Sequence, residues 1–142
     1  MAKWVRPTID TKFHIDFDWW EETERNFRVH LLTHLCEECQ GRYDSYQAAE
    51  LVDWIDAETA EVVRVDGLWH SLRTCCSEKP EYITESTPLS TAVFRTFLAN
   101  GNGPLSSKDL ESRLGRPAGT ILRTIGGLRI YDGIKPVQGD KG

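Results

Sequence analysis

Long hydrophobic runs are missing from this chain of 142 residues. No stretch approaches the roughly 20 apolar residues that a membrane-spanning helix needs. The opening Met1-Ala2-Lys3-Trp4 carries a charge but is not followed by the apolar segment of a secretory signal, so the expected location is the cytoplasm. A glycine-rich phosphate loop, a G-x-G-x-x-G turn and a Ser/His/Asp string are also absent. Nucleotide-driven and serine-hydrolase chemistry are thereby disfavoured, and the chain is not expected to be an enzyme. There is no internal repeat and no low-complexity tract, which argues against a solenoid or a linker. Cysteine is scarce, with four residues in two tight pairs, Cys36/Cys39 and Cys75/Cys76. In a cytosolic chain such pairs point to metal or redox chemistry more than to structural disulfides.

What is present is ordinary for a globular protein: 39% apolar and 27% charged residues. The length allows one domain or two small ones sharing a core. The net charge of −5 is unevenly spread. Residues 1–86 hold nine Lys/Arg against eighteen Asp/Glu, and residues 87–142 hold eight against four. This asymmetry suggests an acidic module, 1–86, joined to a basic binding module, 87–142. The polar stretch Ser77–Ser86, with Pro80, marks the expected boundary.

In the first module, Lys12 to Asp18 alternates between apolar and polar residues, the period of a strand with Phe13, Ile15 and Phe17 inward. Asp18, with Glu21 three residues later, has the form of a capping box. A single helix is expected from there to about Cys36, with Trp20, Phe27, Leu31 and Leu35 on one face. Leu51–Asp56 and Glu61–Val65 suggest a β-hairpin, and Gly67 to Cys76 a short helix with Leu68, Trp69 and Leu72 as its apolar side.

Cys36-Glu37-Glu38-Cys39 places a C-x2-C at a helix end, where two thiolates can converge on one ion. Cys75-Cys76 closes a second helix. The four together could hold zinc or an iron–sulfur cluster. Adjacent cysteines fit the usual zinc spacing poorly, so an alternative zinc set uses one of that pair with His30, His34 or His70 as the remaining ligand. A redox disulfide is a further alternative. A structural zinc suits a small module of this kind, whereas iron–sulfur would make the protein a redox-responsive regulator. His14, Asp16 and Asp18 also alternate as ligands of a metal-dependent hydrolase would, but they fit better as the solvated face of the strand and a helix cap.

Local signals agree best in the second module. Thr87-Pro88 offers a helix start, Leu89, Ala92, Val93 and Phe97 one face, and Asn100-Gly101 a stop. Leu105 and Leu110 flank an N-cap at Ser106 as a hydrophobic staple would, and Gly115 provides a turn. Pro117 can begin a third helix burying Ala118, Ile121, Leu122 and Ile125. Leu128–Tyr131 and Ile134–Val137 flank Asp132-Gly133, a strong hairpin signal.

Helix, helix, tight turn, helix and β-hairpin is the winged-helix order, and Ser106 to Pro117 resembles the second helix and turn of the winged helix-turn-helix superfamily. The resemblance covers about residues 87–137 and implies a third helix in the DNA major groove with the wing near the backbone. It makes Thr120, Arg123 and Thr124 candidates for base or backbone contacts, and Arg116, Arg129 and Lys135 candidates for phosphate contacts. The expected fold is therefore α+β: a C-terminal winged helix-turn-helix with an N-terminal metal-binding α/β-hairpin module. The expected function is transcriptional regulation by DNA binding. The alternative is an adaptor whose winged helix docks on a protein such as RNA polymerase.

Overall fold

A computed structural model describes residues 6–42, 51–55 and 62–137. In chain order its elements are β1 (Lys12–Ile15), α1 (Phe17–Glu22), α2 (Phe27–Thr33), α3 (Glu37–Arg42), β2 (Leu51–Ile55), β3 (Val62–Asp66), α4 (Gly67–Thr74), a 3₁₀ turn (Cys76–Glu78), α5 (Leu89–Ala99), β4 (Leu105–Ser106), α6 (Ser107–Leu114), α7 (Ala118–Ile125) and β5 (Ile134–Pro136). The class is α+β. Among the described residues, no helix is long and apolar enough to cross a membrane.

The chain divides into two compact units, Met1–Arg25 with Ile83–Gly142, and Asn26–Tyr82. Residues 6–25 thus fold with the C-terminal unit and not with an N-terminal module 1–86. The physical reason is β1, which is hydrogen-bonded on both sides to C-terminal strands. The three-stranded sheet runs β4-β1-β5, antiparallel throughout, with Phe13 opposite Leu105 and Pro136, and Ile15 opposite Ile134. Regrouping the residues also regroups the charge: twelve Lys/Arg against eleven Asp/Glu in the unit holding both termini, and five against eleven in Asn26–Tyr82.

The expected alternation on β1 holds, since Phe13 and Ile15 are buried while Lys12 is exposed. Phe17 departs from it. It begins α1 and is 42% exposed. Asp16, not Asp18, is the N-cap of α1, accepting from the backbone N–H of Asp18 at 3.0 Å. The single helix expected from Asp18 to Cys36 is broken. Glu24 takes a left-handed φ of 57°, and the N–H groups of Glu24 and Arg25 return to the carbonyls of Glu21 and Trp20. That is a Schellman closure, which satisfies the last carbonyls of α1. Asn26 then caps α2 by accepting from the Arg28 and Val29 N–H groups.

In the unit holding both termini, α5, α6 and α7 pack on one another and α5 packs on β1. Among the described residues, Trp20, Phe13, Phe94, Phe97, Ile15, Leu98, Leu110, Ile121 and Ile134 are its fully buried large side chains. Pro88 occupies the N-cap of α5, and Thr87 instead accepts from the Thr84 N–H. The Ser106–Asp109 capping box forms at the start of α6 in both directions, at 2.9 and 3.1 Å. Gly115, at φ 70°, closes α6. The Glu111 carboxylate accepts from the Ala118 N–H at 3.0 Å, a negative charge placed at the start of α7.

The hairpin expected over Leu128–Val137 is only half formed. Asp132 and Gly133 do adopt the two positive φ values of a type I′ turn, closed by the Ile134 N–H to the Tyr131 carbonyl at 3.0 Å. Residues 128–131 are not a strand, however, and β5 takes β1 as its partner. The turn is already committed elsewhere. Asp16 N–H donates to the Gly133 carbonyl at 2.8 Å and Trp20 Nε1 to the Asp132 carbonyl at 3.0 Å. A Cβ at Gly133 would meet Trp20 Nε1 at 2.7 Å, so close approach adds to the φ requirement.

Asn102 supplies a link that composition does not announce. Its carboxamide accepts from the Ile15 N–H at 2.7 Å and donates to the Ile15 carbonyl at 3.0 Å, acting as a one-residue strand beside β1. Asn102→Ala leaves both backbone groups unpaired and is expected to cost about 1–3 kcal/mol in a denaturant melt; a change near zero contradicts this account.

Asp109 makes a second, pH-dependent link. The Ser106 N–H and then the Lys12 ammonium, at 2.9 Å, hold its carboxyl down to about 2 from the ordinary 3.8. The folded state favours the ionised form, so this stabilisation is complete above the ordinary value and disappears as pH falls towards 2. Asp109→Asn is expected to flatten the acid limb of the wild-type stability profile in that window. An unchanged limb counts against the capping box as the source.

Candidate functional site

The four cysteines belong to the Asn26–Tyr82 unit, in which α2 packs on α4. Its buried apolar side chains include Leu31, Leu35, Cys39, Leu68, Leu72, Cys76 and Tyr82, and the Phe27 and Trp69 rings lie 5.6 Å apart. β2 and β3 pair antiparallel from Leu51 opposite Asp66 to Ile55 opposite Val62, as the expected hairpin requires; its turn lies outside the described residues.

Each cysteine pair sits where a helix starts or stops. Cys36 precedes α3, so its sulfur can accept from the Cys39 N–H, while Cys39, inside α3, is fully buried. Gln40 steadies the entry by donating its side chain to the Leu35 carbonyl at 2.7 Å. At the other end, the Cys75 N–H still bonds to the Ser71 carbonyl, but Cys75 leaves helical geometry at φ −124°, ψ −63°, and Cys76 starts a 3₁₀ turn. That break re-aims the chain between neighbours. It is why two adjacent cysteines, poor partners on spacing alone, both reach one site.

The four Sγ atoms all lie within 4.8 Å of one another, and Cys36 and Cys76 are 3.4 Å apart. All four thiols are free of disulfides. A tetrahedron of zinc–sulfur bonds of about 2.3 Å has edges of about 3.8 Å, which is the scale of this cluster. Among the described residues no histidine joins the group. His30 and His34 instead approach each other, with Nε2 atoms 3.1 Å apart.

The electrostatics prepare the site unevenly. Burial raises the Cys36 thiol, yet hydrogen bonds from the Cys39 N–H, the Lys79 ammonium and the neighbouring thiols outweigh it and bring it down to about 6. Burial pushes Cys39 and Cys76 up, and nearby sulfurs add to this at Cys39. Crowded sulfurs cannot all ionise without a cation among them. Lys79 supplies one charge from the side: its Nζ lies 3.2 Å from Cys36 Sγ and 3.0 Å from a Glu38 oxygen. Glu38, then Cys36, holds that ammonium charged. Both residues were missed on sequence, although each has a readable position, Glu38 inside the C-x2-C and Lys79 three residues past Cys76.

The candidate nucleic-acid residues are less concentrated. Thr120, Arg123 and Thr124 share α7, whose other face buries Ala118, Ile121 and Ile125. Arg123 is exposed and donates to Thr120 Oγ1 at 3.2 Å, and the Thr124 hydroxyl donates to the Thr120 carbonyl. Arg116 is half-buried in the turn before α7. Arg129 is exposed with its guanidinium 4.9 Å from the Tyr131 ring centroid. Lys135 lies on β5, paired with Asp16 at 3.5 Å. Asp16 is thus both helix cap and ion-pair partner, and His14, Asp16 and Asp18 form no metal-ligating group among the described residues.

Removal of metal is the direct test of the cysteine site. Binding free energy at a structural site is folding free energy, about 10–16 kcal/mol in small zinc peptides. A strong chelator, or Cys39→Ser, is therefore expected to lower metal content and the melting temperature together. At roughly 3–5 °C per kcal/mol, even part of that energy gives a shift of about 10 °C or more. Protein that holds no metal and melts unchanged with chelator contradicts the site.

Compared with known proteins, the chain matches no family model, no curated protein and no solved structure.

Proposed function

We propose that this protein is a zinc-stabilised DNA-binding regulator. Zinc is favoured over an iron–sulfur cluster by the spread of the sulfurs. A cluster is itself several ångströms across and holds its thiolates further apart than a single ion does, whereas 4.8 Å is the largest separation here. Zinc also needs no redox partner and closes a structural site with four protein ligands. Cys36, Cys39, Cys75 and Cys76 would hold it as thiolates. Lys79 would offset part of the net negative charge that four thiolates leave around a divalent ion.

The DNA reading rests on α7. In this reading α5, β4, α6, α7 and β5 form a winged helix with its wing reduced to the Asp132-Gly133 turn, and α7 is the recognition helix. The single observation that carries it is the pair α6–α7 hinged at Gly115, with α7 burying Ala118, Ile121 and Ile125 and turning Thr120, Arg123 and Thr124 the other way. Thr120 and Arg123 are already hydrogen-bonded together, which holds the guanidinium along the exposed face. A second reading, an adaptor docking on a protein such as RNA polymerase, is favoured by one observation. The unit carrying α7 is almost neutral, with twelve Lys/Arg against eleven Asp/Glu, which leaves little long-range attraction for phosphate.

Titration of duplex DNA at several salt concentrations separates the two. Under the DNA reading, Arg123→Ala costs about 1–3 kcal/mol at a preferred site and less on random duplex. Arg129→Ala weakens all sequences alike and lowers the salt slope by about one. Lys135→Ala changes the slope less than Arg129→Ala, because Asp16 already engages the ammonium. Wild-type protein that binds no duplex at low salt rejects this reading in favour of the adaptor.

A further inference from the structure

Two histidines in the Asn26–Tyr82 unit take no part in the cysteine cluster. His30 lies in α2 and His34 is its C-cap, one turn later. The i, i+4 spacing puts both side chains on one face. Their Nε2 atoms are 3.1 Å apart, with ring centroids 4.7 Å apart and planes at 70°. Two ring nitrogens at this distance are bridged by one proton in an N–H···N hydrogen bond, and a metal ion accepting both lone pairs can take that proton's place. For an ion about 2.1 Å from each nitrogen, the observed separation subtends an angle of about 95°. Four- to six-coordinate divalent ions use such angles. Both rings are half-buried, so the helix holds them in place while leaving them within reach of an ion from solution. The unit's five Lys/Arg against eleven Asp/Glu add a field that favours a cation.

The geometry points to His30 and His34 as a second metal site, separate from the four cysteines. It takes one divalent ion of the imidazole-preferring kind, zinc or nickel, through the two Nε2 atoms. This assignment does not depend on what fills the cysteine site or on whether α7 binds DNA. With two ligands from the described residues, against four at the cysteines, the site binds the more weakly of the two, loading and emptying with the free ion concentration while a four-cysteine ion stays in place.

The test is a calorimetric titration of the purified protein with zinc chloride in a buffer that does not chelate, after gel filtration and after the retained metal has been counted. Wild-type protein is expected to take one further equivalent. His30→Gln and His34→Gln are each expected to lose that equivalent while keeping the retained metal, and His70→Gln is expected to keep both. Proton NMR of the wild type gives a readout that needs no variant: zinc moves the ring signals of His30 and His34 and leaves those of His14 and His70 unmoved. Wild-type protein that takes up no further zinc assigns the 3.1 Å contact to a shared proton and overturns the proposal. A further equivalent that survives in both His30→Gln and His34→Gln overturns it as well.

Discussion

Four sulfurs drawn within 4.8 Å of one another are the constraint on which the Asn26–Tyr82 unit depends. Thiols so placed, with Cys39 and Cys76 fully buried, resist ionisation together. A cation among them would convert mutual repulsion into attraction and tie four chain positions at once. Those positions belong to different elements: the entry to α3, its first turn, the end of α4 and the 3₁₀ turn. An ion there would clamp the helices at their ends, where backbone groups are least satisfied. Among the described residues the fully buried large side chains of this unit are Leu31, Leu68 and Leu72, and small cores commonly rely on such a clamp.

The unit holding both termini uses hydrogen bonds for the same purpose. β1 is central in its sheet, and its C-terminal end is fixed by two residues from later in the chain. Asn102 pairs with the Ile15 backbone, and the Gly133 carbonyl receives the Asp16 N–H. Trp20 anchors the arrangement from below, with its indole N–H on the Asp132 carbonyl and its ring 6.3 Å from Phe94. The consequence for function is electrostatic. Folding the N-terminal residues against the C-terminal ones brings Asp16 to Lys135, Asp10 to Lys108 and Asp132 to Arg25. Cations that look available in residues 87–142 alone are partly neutralised.

What could be read from the residues was what short-range chemistry decides. The Ser106 cap, the Gly115 turn, the buried stripe of α7 and the alternation of β1 each rest on neighbours within a few positions, and each is found in the structure. The C-x2-C with its distant pair was equally legible as a cluster that could hold a metal ion. The failures share a cause of the opposite kind. The Asp18 capping box loses to Asp16 because Asp16 also closes the sheet, and the helix through Arg25 is ended by a Schellman closure at a non-glycine residue, which composition does not flag. The Asp132-Gly133 turn forms as its sequence demands, yet its upstream arm does not become a strand because a segment more than a hundred residues away takes the pairing. Lys79 went unnoticed because its partners, Glu38 and Cys36, are about forty residues distant.

X-ray absorption at the zinc edge, on protein carrying a single equivalent of metal, examines the central claim most directly. A mononuclear site built from Cys36, Cys39, Cys75 and Cys76 predicts a first shell of four sulfurs at about 2.3 Å and no nitrogen or oxygen. A shell containing imidazole nitrogen, fewer than four sulfurs, or iron paired with bridging sulfide in place of zinc contradicts it.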